Sequence, residues 1–368
     1  RWRRLRVQLR AALAGLALLA APAAARAQPA DDAVDATVRV YADDDRVQVV
    51  TPSVWGRAGA GPVDLDVGAA VDVVSAASVD IVTSASPKEM TETRWQLDAL
   101  AGWHASRTQL VRGGITGSHE DDYDSLRGRA GWRGELARRN LTLDVDYRAG
   151  IDRVGRAGDG EFHRRRTDHL LTVGITQLLD RRTYADVDLE LRRSHGFQAS
   201  PYRTVAVIDP ATTALMEVDE VTPRLRQGAA ATARIRRALG ARPWYAHGWY
   251  RFYADDWGVR SHTAGVQLLA ELRGTLAGVA LRGYRQGAAD FHRSVYTLED
   301  GAPPALRTAD RALGRMASVH ASLTCDLPLD GGARLIASLG LLHLRFDDSP
   351  AQAARTAVLV AVGLRRPL

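Results

Sequence analysis

Residues 63–73 read Val63-Asp-Leu-Asp-Val-Gly-Ala-Ala-Val-Asp-Val73. Apolar Val63, Leu65, Val67, Ala69, Val71 and Val73 alternate with Asp64, Asp66, Gly68, Ala70 and Asp72. Residues 141–152 repeat the device: Leu141, Leu143, Val145, Tyr147, Ala149 and Ile151 alternate with Thr142, Asp144, Asp146, Arg148, Gly150 and Asp152. Side chains on a strand point to opposite faces in turn, so each segment has one oily and one charged face. Both are as long as the roughly 9–11 residues a tilted strand needs to cross a bilayer. Repetition of such segments in an exported chain predicts an all-β fold, a single up-and-down antiparallel barrel of the outer-membrane type.

The first residues carry the export reading. Arg1, Arg3, Arg4, Arg6 and Arg10 form a positive start, Ala11 to Ala21 a short apolar run, and Ala25-Arg26-Ala27 a small-residue cleavage site. A signal peptide is expected over 1–27 and the barrel over 28–368, with Gln28 rather than a lipid-accepting cysteine directly after the site. The formal charge of +6 misleads, because residues 1–27 hold six arginines and no acid. The remainder is close to neutral, which removes the case for nucleic-acid binding by bulk charge. Cys325 is the one cysteine, so no internal disulfide can form. Nothing divides the chain into two domains.

Turn chemistry cuts the rest into about sixteen strands. The first pair lies near 36–42 and 46–58, the third ends near Val73, and the fourth puts Trp95 and Trp103 on one face, bracketing its apolar stretch as interfacial aromatics do. Further strands fall near 107–118, 126–136, 141–152, 171–175, 185–192, 226–237, 244–254, 262–272, 278–287, 313–325, 333–346 and 355–368. Connections at one end are short; those at 74–92, 153–165, 194–225 and 287–310 are long. Long external loops and short periplasmic turns are the outer-membrane rule, and an even strand number places both termini in the periplasm of a Gram-negative cell. The last strand keeps Val358, Val360, Val362, Leu364 and Leu368 on one parity; Leu368 stands where the barrel insertion machinery usually reads an aromatic. The alternative, a secreted sandwich, needs shorter strands, typically about 5–6 residues, and more aromatics for its core.

The charged faces define the expected lumen lining: Asp64, Asp66, Asp72, Arg127, Arg129, Arg133, Asp144, Asp146, Arg148, Asp186, Asp188, Glu190 and Arg234. Neighbouring strands carry opposite sign, which fits either a wet lumen with a transverse field or one laced by cross-strand pairs. Inward Gly68, Ala70 and Gly150 favour open space. Glu120, Asp121, Asp122, Asp124, Asp255 and Asp256 are weak candidates for a hard cation, without EF-hand spacing. Ser261-His262 and Ser118-His119 raise a rim hydrolase, but adjacent strand residues face opposite ways.

Several words resemble one family: Arg39-Val-Tyr-Ala-Asp-Asp-Asp45, Ser75-Ala-Ala-Ser-Val-Asp-Ile81 with Thr83-Ser-Ala-Ser86, Ser118-His-Glu-Asp-Asp-Tyr123, Gln198-Ala-Ser-Pro-Tyr-Arg203, Tyr250-Arg-Phe-Tyr-Ala-Asp-Asp-Trp-Gly258 before Ser261-His-Thr263, and Gln286-Gly-Ala-Ala-Asp-Phe291. On them the chain resembles an uncharacterised bacterial outer-membrane barrel family, defined as a domain of unknown function. The resemblance implies a barrel and brings no catalytic residue. Relatives encoded beside flavin-transferring and thioredoxin-like proteins imply an envelope redox setting.

The expected function is a porin-like pore or binding barrel for small solutes, surrounded by outer-membrane lipid, with recognition at external loops and no cofactor. The alternatives are a rim hydrolase acting on lipid or peptide, and a closed structural barrel serving a periplasmic redox or assembly partner.

Overall fold

The computed structural model describes residues 32–76, 90–240, 243–349 and 352–368. The expected leader over 1–27 and residues 77–89 of the 74–92 connection, with the Thr83 word and all of the Ser75 word beyond Ala76, lie outside them.

Alternation becomes a closed antiparallel barrel of sixteen strands. In chain order its first half is β1 (Ala33–Asp43), β2 (Val47–Ala60), β3 (Val63–Ala76), β4 (Met90–Ser106), β5 (Gln109–His119), β6 (Tyr123–Leu136), β7 (Leu141–Arg156), β8 (Asp159–Asp180) and β9 (Thr183–Gly196). Two short strands follow outside the barrel, β10 (Thr204–Ile208) and β11 (Leu215–Asp219). The barrel resumes with β12 (Leu225–Leu239), β13 (Trp244–Asp255), β14 (Arg260–Leu272) and β15 (Thr275–Gln286). After β16 (Tyr296–Thr297), again outside, come β17 (Met316–Pro328), β18 (Arg334–Phe346) and β19 (Ala354–Pro367). Pairing of β1 with β19, from Ala33 opposite Pro367 to Asp43 opposite Ala357, closes the ring and leaves no free edge. Pro52 has no N–H to give, and the β2–β3 ladder lapses there, resuming from Val50–Val73 to Ser53–Ala70.

The two faces obey opposite rules. Val67, Leu97 and Ile115 point outward, each more than 60% exposed, while Asp152 on the inner face is 0% exposed. Trp95 and Trp103 stand exposed on the outer face of β4 near its two ends. An apolar exterior around a charged interior is the pattern of a barrel whose solvent outside is hydrocarbon.

Two expectations are corrected. The segment 153–165 is not a loop: β7 and β8 continue to a two-residue turn at Ala157-Gly158, with Gly158 at φ 80°, so a hairpin stands proud of the barrel. The segments 194–225 and 287–310 are not merely loops either. Within them β10 pairs antiparallel with β11 and parallel with β16, a three-stranded sheet set over the long-loop end.

Candidate functional site

The inner face is a lattice of ion pairs. Asp144 receives Arg112 at 2.8 Å and Arg133 at 2.9 Å. Asp146, 4% exposed, receives Arg129 at 2.5 Å and Arg148 at 2.9 Å. Asp152 takes Arg166 at 2.6 Å and Arg127 at 3.4 Å. On the next staves Arg234 spans Asp186, at 2.6 Å, and Asp188; Arg236 adds a second bond to Asp186 at 2.7 Å. Arg251 grips both oxygens of Glu190. Asp66 pairs with Arg57 at 2.6 Å and Asp64 with the His104 ring at 2.7 Å. A buried carboxylate without partners would cost several kcal/mol, and these arginines offset the desolvation of the acids they meet.

The sequence placed arginine and acid on neighbouring strands; the structure joins them within one wall. The strongly charged staves β6, β7, β9 and β12 thus neutralise each other. A residual field remains in the unpaired groups. Asp72 and Asp98 have no cationic partner among the described residues and accept from Thr51 at 2.5 Å and Thr116 at 2.6 Å. Among the same residues Arg192 and Arg282, and Arg39 on β1, are in no ion pair. In the ring order, β3 and β4 stand opposite the arc from β9 to β15, so acid faces base across the lumen. The wall from β17 to β19 is nearly neutral, with Ser318, Ser322, Ser338, Leu342 and Leu359 inward.

Inward glycines do not widen the passage as expected. A Cβ on Gly68 would lie 2.5 Å from the Trp55 ring, and one on Gly150 would meet the Arg127 side chain at 2.9 Å. They are seats that let large neighbours lie flat on the wall. Space opens elsewhere. A cavity of about 620 Å³ lies against β9 and β12–β15, and a second of about 330 Å³ against β6–β9; Arg192 lines both.

Over the long-loop end sits a cap with cores of its own. Val205 and Val207, at 1% and 0% exposure, pack with Tyr296. Trp257, Val259, Ala289 and Leu313 make a second cluster. The two long loops are pinned together at Glu220, whose buried carboxylate accepts from the Ser200 N–H at 2.8 Å and the Thr308 hydroxyl, with Arg203 at 3.4 Å. Arg203 also reaches Asp310 at 2.9 Å. The cap then moors to distant turns of the rim: Tyr202 donates to Asp122 and accepts from the Ala157 N–H at 2.6 Å, while Arg311 reaches Asp45 at 3.3 Å. Burial and the Asp122 carboxylate push the Tyr202 phenol up to about 12, so it stays a donor at any physiological pH. Desolvation also raises the Glu120 carboxyl above its usual range. In ring order the moorings fall about a quarter-turn apart, so the cap crosses the mouth.

The acidic candidates are already employed. Asp255 takes Arg226 at 2.6 Å and the backbone N–H groups of Trp257 and Val259; Asp256 takes the Gln227 N–H at 2.9 Å. Asp124 faces His119 at 2.7 Å and Arg153 at 3.9 Å, and Glu120 faces Arg94 at 3.6 Å. Among the described residues no three His, Cys, Asp or Glu converge to hold a metal ion, Asp121 and Asp122 included. Ser261 is buried inside, whereas His262 lies outside on the Tyr250 hydroxyl at 2.6 Å, so the two do not meet. Reading missed Arg112, Arg166 and Arg251, whose partners sit one or two strands away. Their inward parity could have marked them.

In fold, the chain is similar to a bacterial polysaccharide outer membrane secretin, at TM-score 0.51 and 6% identity, over 91% of this chain and 98% of that one. It is similar also to CdiB from Acinetobacter baumannii, at TM-score 0.50 and 8% identity, over 90% of this chain and 60% of that one. No curated protein matches it in sequence. At such identities the likeness is one of architecture, an outer-membrane-type barrel. A family model described as "Protein of unknown function (DUF3570)" matches residues 144–353, from the Asp144 ion pairs through the cap to β18, and the chain belongs to that family.

Proposed function

We propose that this protein is an outer-membrane barrel that admits or binds small polar solutes through its lumen, with the long-loop end and its cap outward as the selecting surface. One observation carries the reading. Arg148 lies mid-stave on the inner face, bonded to buried Asp146, yet its side chain is 51% exposed. In a closed barrel that exposure is to interior space, and the two cavities lie along the same wall. A charged, solvated interior favours polar solutes over apolar ones, which would have to strip water from the wall. Lipid would cover the outer face, and β19 would present its end to the insertion machinery.

The test is conductance of the refolded full chain in a planar bilayer. Steps of current are expected. Neutralising Arg127, Arg129 and Arg133 together would leave Asp144, Asp146 and Asp152 with one close arginine each and, by removing three positive charges from the wall, shift selectivity toward cations. A folded barrel that passes no current overturns the reading. The second reading, a closed scaffold serving a periplasmic partner, is favoured by one feature, the cap moored across the mouth. Current that appears only when the cap is loosened by Glu220→Ala would select it.

A further inference from the structure

The lattice leaves three inward arginines over; Arg39 stands on β1, away from the cavity, and Arg192 and Arg282 both line the 620 Å³ cavity. Arg192 on β9 has Gly228 and Leu170 directly opposite, and Arg282 on β15 has Gly265 and His320. Neither neighbour pair offers a carboxylate. The nearest acid in the cavity wall, Glu190, is already held at both oxygens by Arg251. Two guanidiniums therefore face the cavity with donors unspent.

The same glycines do a second thing. A Cβ on Gly265 would fall 2.0 Å from the Trp249 ring, and one on Gly228 would fall 2.7 Å from the Tyr253 hydroxyl. Both rings thus lie against the wall over a glycine and turn a face toward the cavity. Unspent guanidiniums recognise a planar carboxylate by paired N–H···O bonds. Exposed ring faces add stacking area at small entropic cost. Tryptophan and tyrosine faces beside free arginines do not suit a bare inorganic ion, which would leave the rings unused.

We propose that this cavity is a binding station for small organic acids that join a carboxylate to a ring. It rests on the solute-passage reading and names the class of solute. Arg282 shares a ladder row with Trp249, and Arg192 lies two residues along from the row of Tyr253, so the carboxylate would sit on one of these guanidiniums while the ring lay on the aromatic beside it.

The experiment uses the full chain refolded in detergent, with benzoate and glucuronate as probes and acetate and benzyl alcohol as controls. Tryptophan fluorescence reports binding without needing current. Benzoate, glucuronate or both should saturate a change at least tenfold below either control, and the change should be lost in Trp249→Phe. A planar-ring site favours benzoate and a sugar-acid site glucuronate. Arg282→Gln should weaken the binding reported by Trp249 at least fivefold, and Arg192→Gln should weaken it less. They break no ion pair, so the barrel should keep its heat-modifiable gel shift. Arg285→Gln, three residues from Arg282 but on the outer face, should change nothing. Equal curves for all four compounds, or indifference to both lumen substitutions, overturns the station. The two proposals fail separately: binding without current sinks the passage and leaves the station, and current without selective binding does the reverse.

Discussion

The barrel wall and the cap are built from one chain by opposite rules. In the wall, Val67, Leu97 and Ile115 are exposed, while Asp146 and Asp152 are buried. In the cap, Val205, Val207 and Leu313 are buried, and Asp209 sits outside holding its own turn. Burying apolar area drives folding only where water is the alternative. The cap therefore has small cores like any water-soluble sheet. The wall is stabilised by ladder bonds and ion pairs, and its apolar area faces outward, as a barrel placed in lipid requires.

The comparison can be broken most severely at Glu220. Its carboxylate joins two loops inside the cap, and Glu220→Ala strands the Ser200 N–H, the Thr308 hydroxyl and one bond of Arg203. The loss should be about 3 kcal/mol or more of cap stability. Hydrogen exchange should rise across 204–219 and 296–308 and stay unchanged in β3–β9. Equal loosening of both regions would mean the cap and wall are one cooperative unit.

Next is the outer face. Val67→Arg should cost insertion about 2–4 kcal/mol near the midplane and less toward either interface, read from the folded fraction in vesicles against urea. Retention of full stability would mean that this face does not meet lipid.

Acidity should separate the regions more gently. His292 is buried in the cap, its Nε2 has no hydrogen-bond partner among the described residues, and burial depresses its pKa despite Asp310 and Asp348 nearby. The opened cap therefore takes up a proton at a pH where the closed cap does not. Stability is full above the ordinary histidine value of about 6.5 and falls as the pH drops below it, by at most about 1.4 kcal/mol per pH unit. The protection factor at 204–208, the observed exchange rate measured against the intrinsic rate at each pH, should fall between pH 7 and 5, and His292→Gln should abolish that fall. A protection factor that does not change with pH in the wild type would refute it.

The smallest effect is expected one residue from Val67. Asp66→Asn removes a partner of a well-exposed Arg57, worth less than about 1 kcal/mol. Insertion should be unchanged by the vesicle assay. A loss matching that of Val67→Arg would erase the distinction between the two faces.

The sequence by itself determined the barrel. Its signal is local: strand alternation has a period of two, so Val63 to Val73 and Leu141 to Ile151 declare their faces without knowing their neighbours. Strand number and the side bearing long connections followed from turn residues, and the inward charges from parity. Only the tertiary structure decided what those charges do. Which arginine meets which aspartate depends on register between staves, and Arg251 finds Glu190 from 61 residues away. Gly68, Gly150 and Gly265 read as empty positions, yet they seat rings and guanidiniums that a strand across supplies. The cap was least legible, because β10, β11 and β16 are too short for a period to show, and Val207 is paired with Tyr296 across 89 residues of chain. Contacts of that separation are settled by closing the ring first, which brings the two long loops to the same mouth.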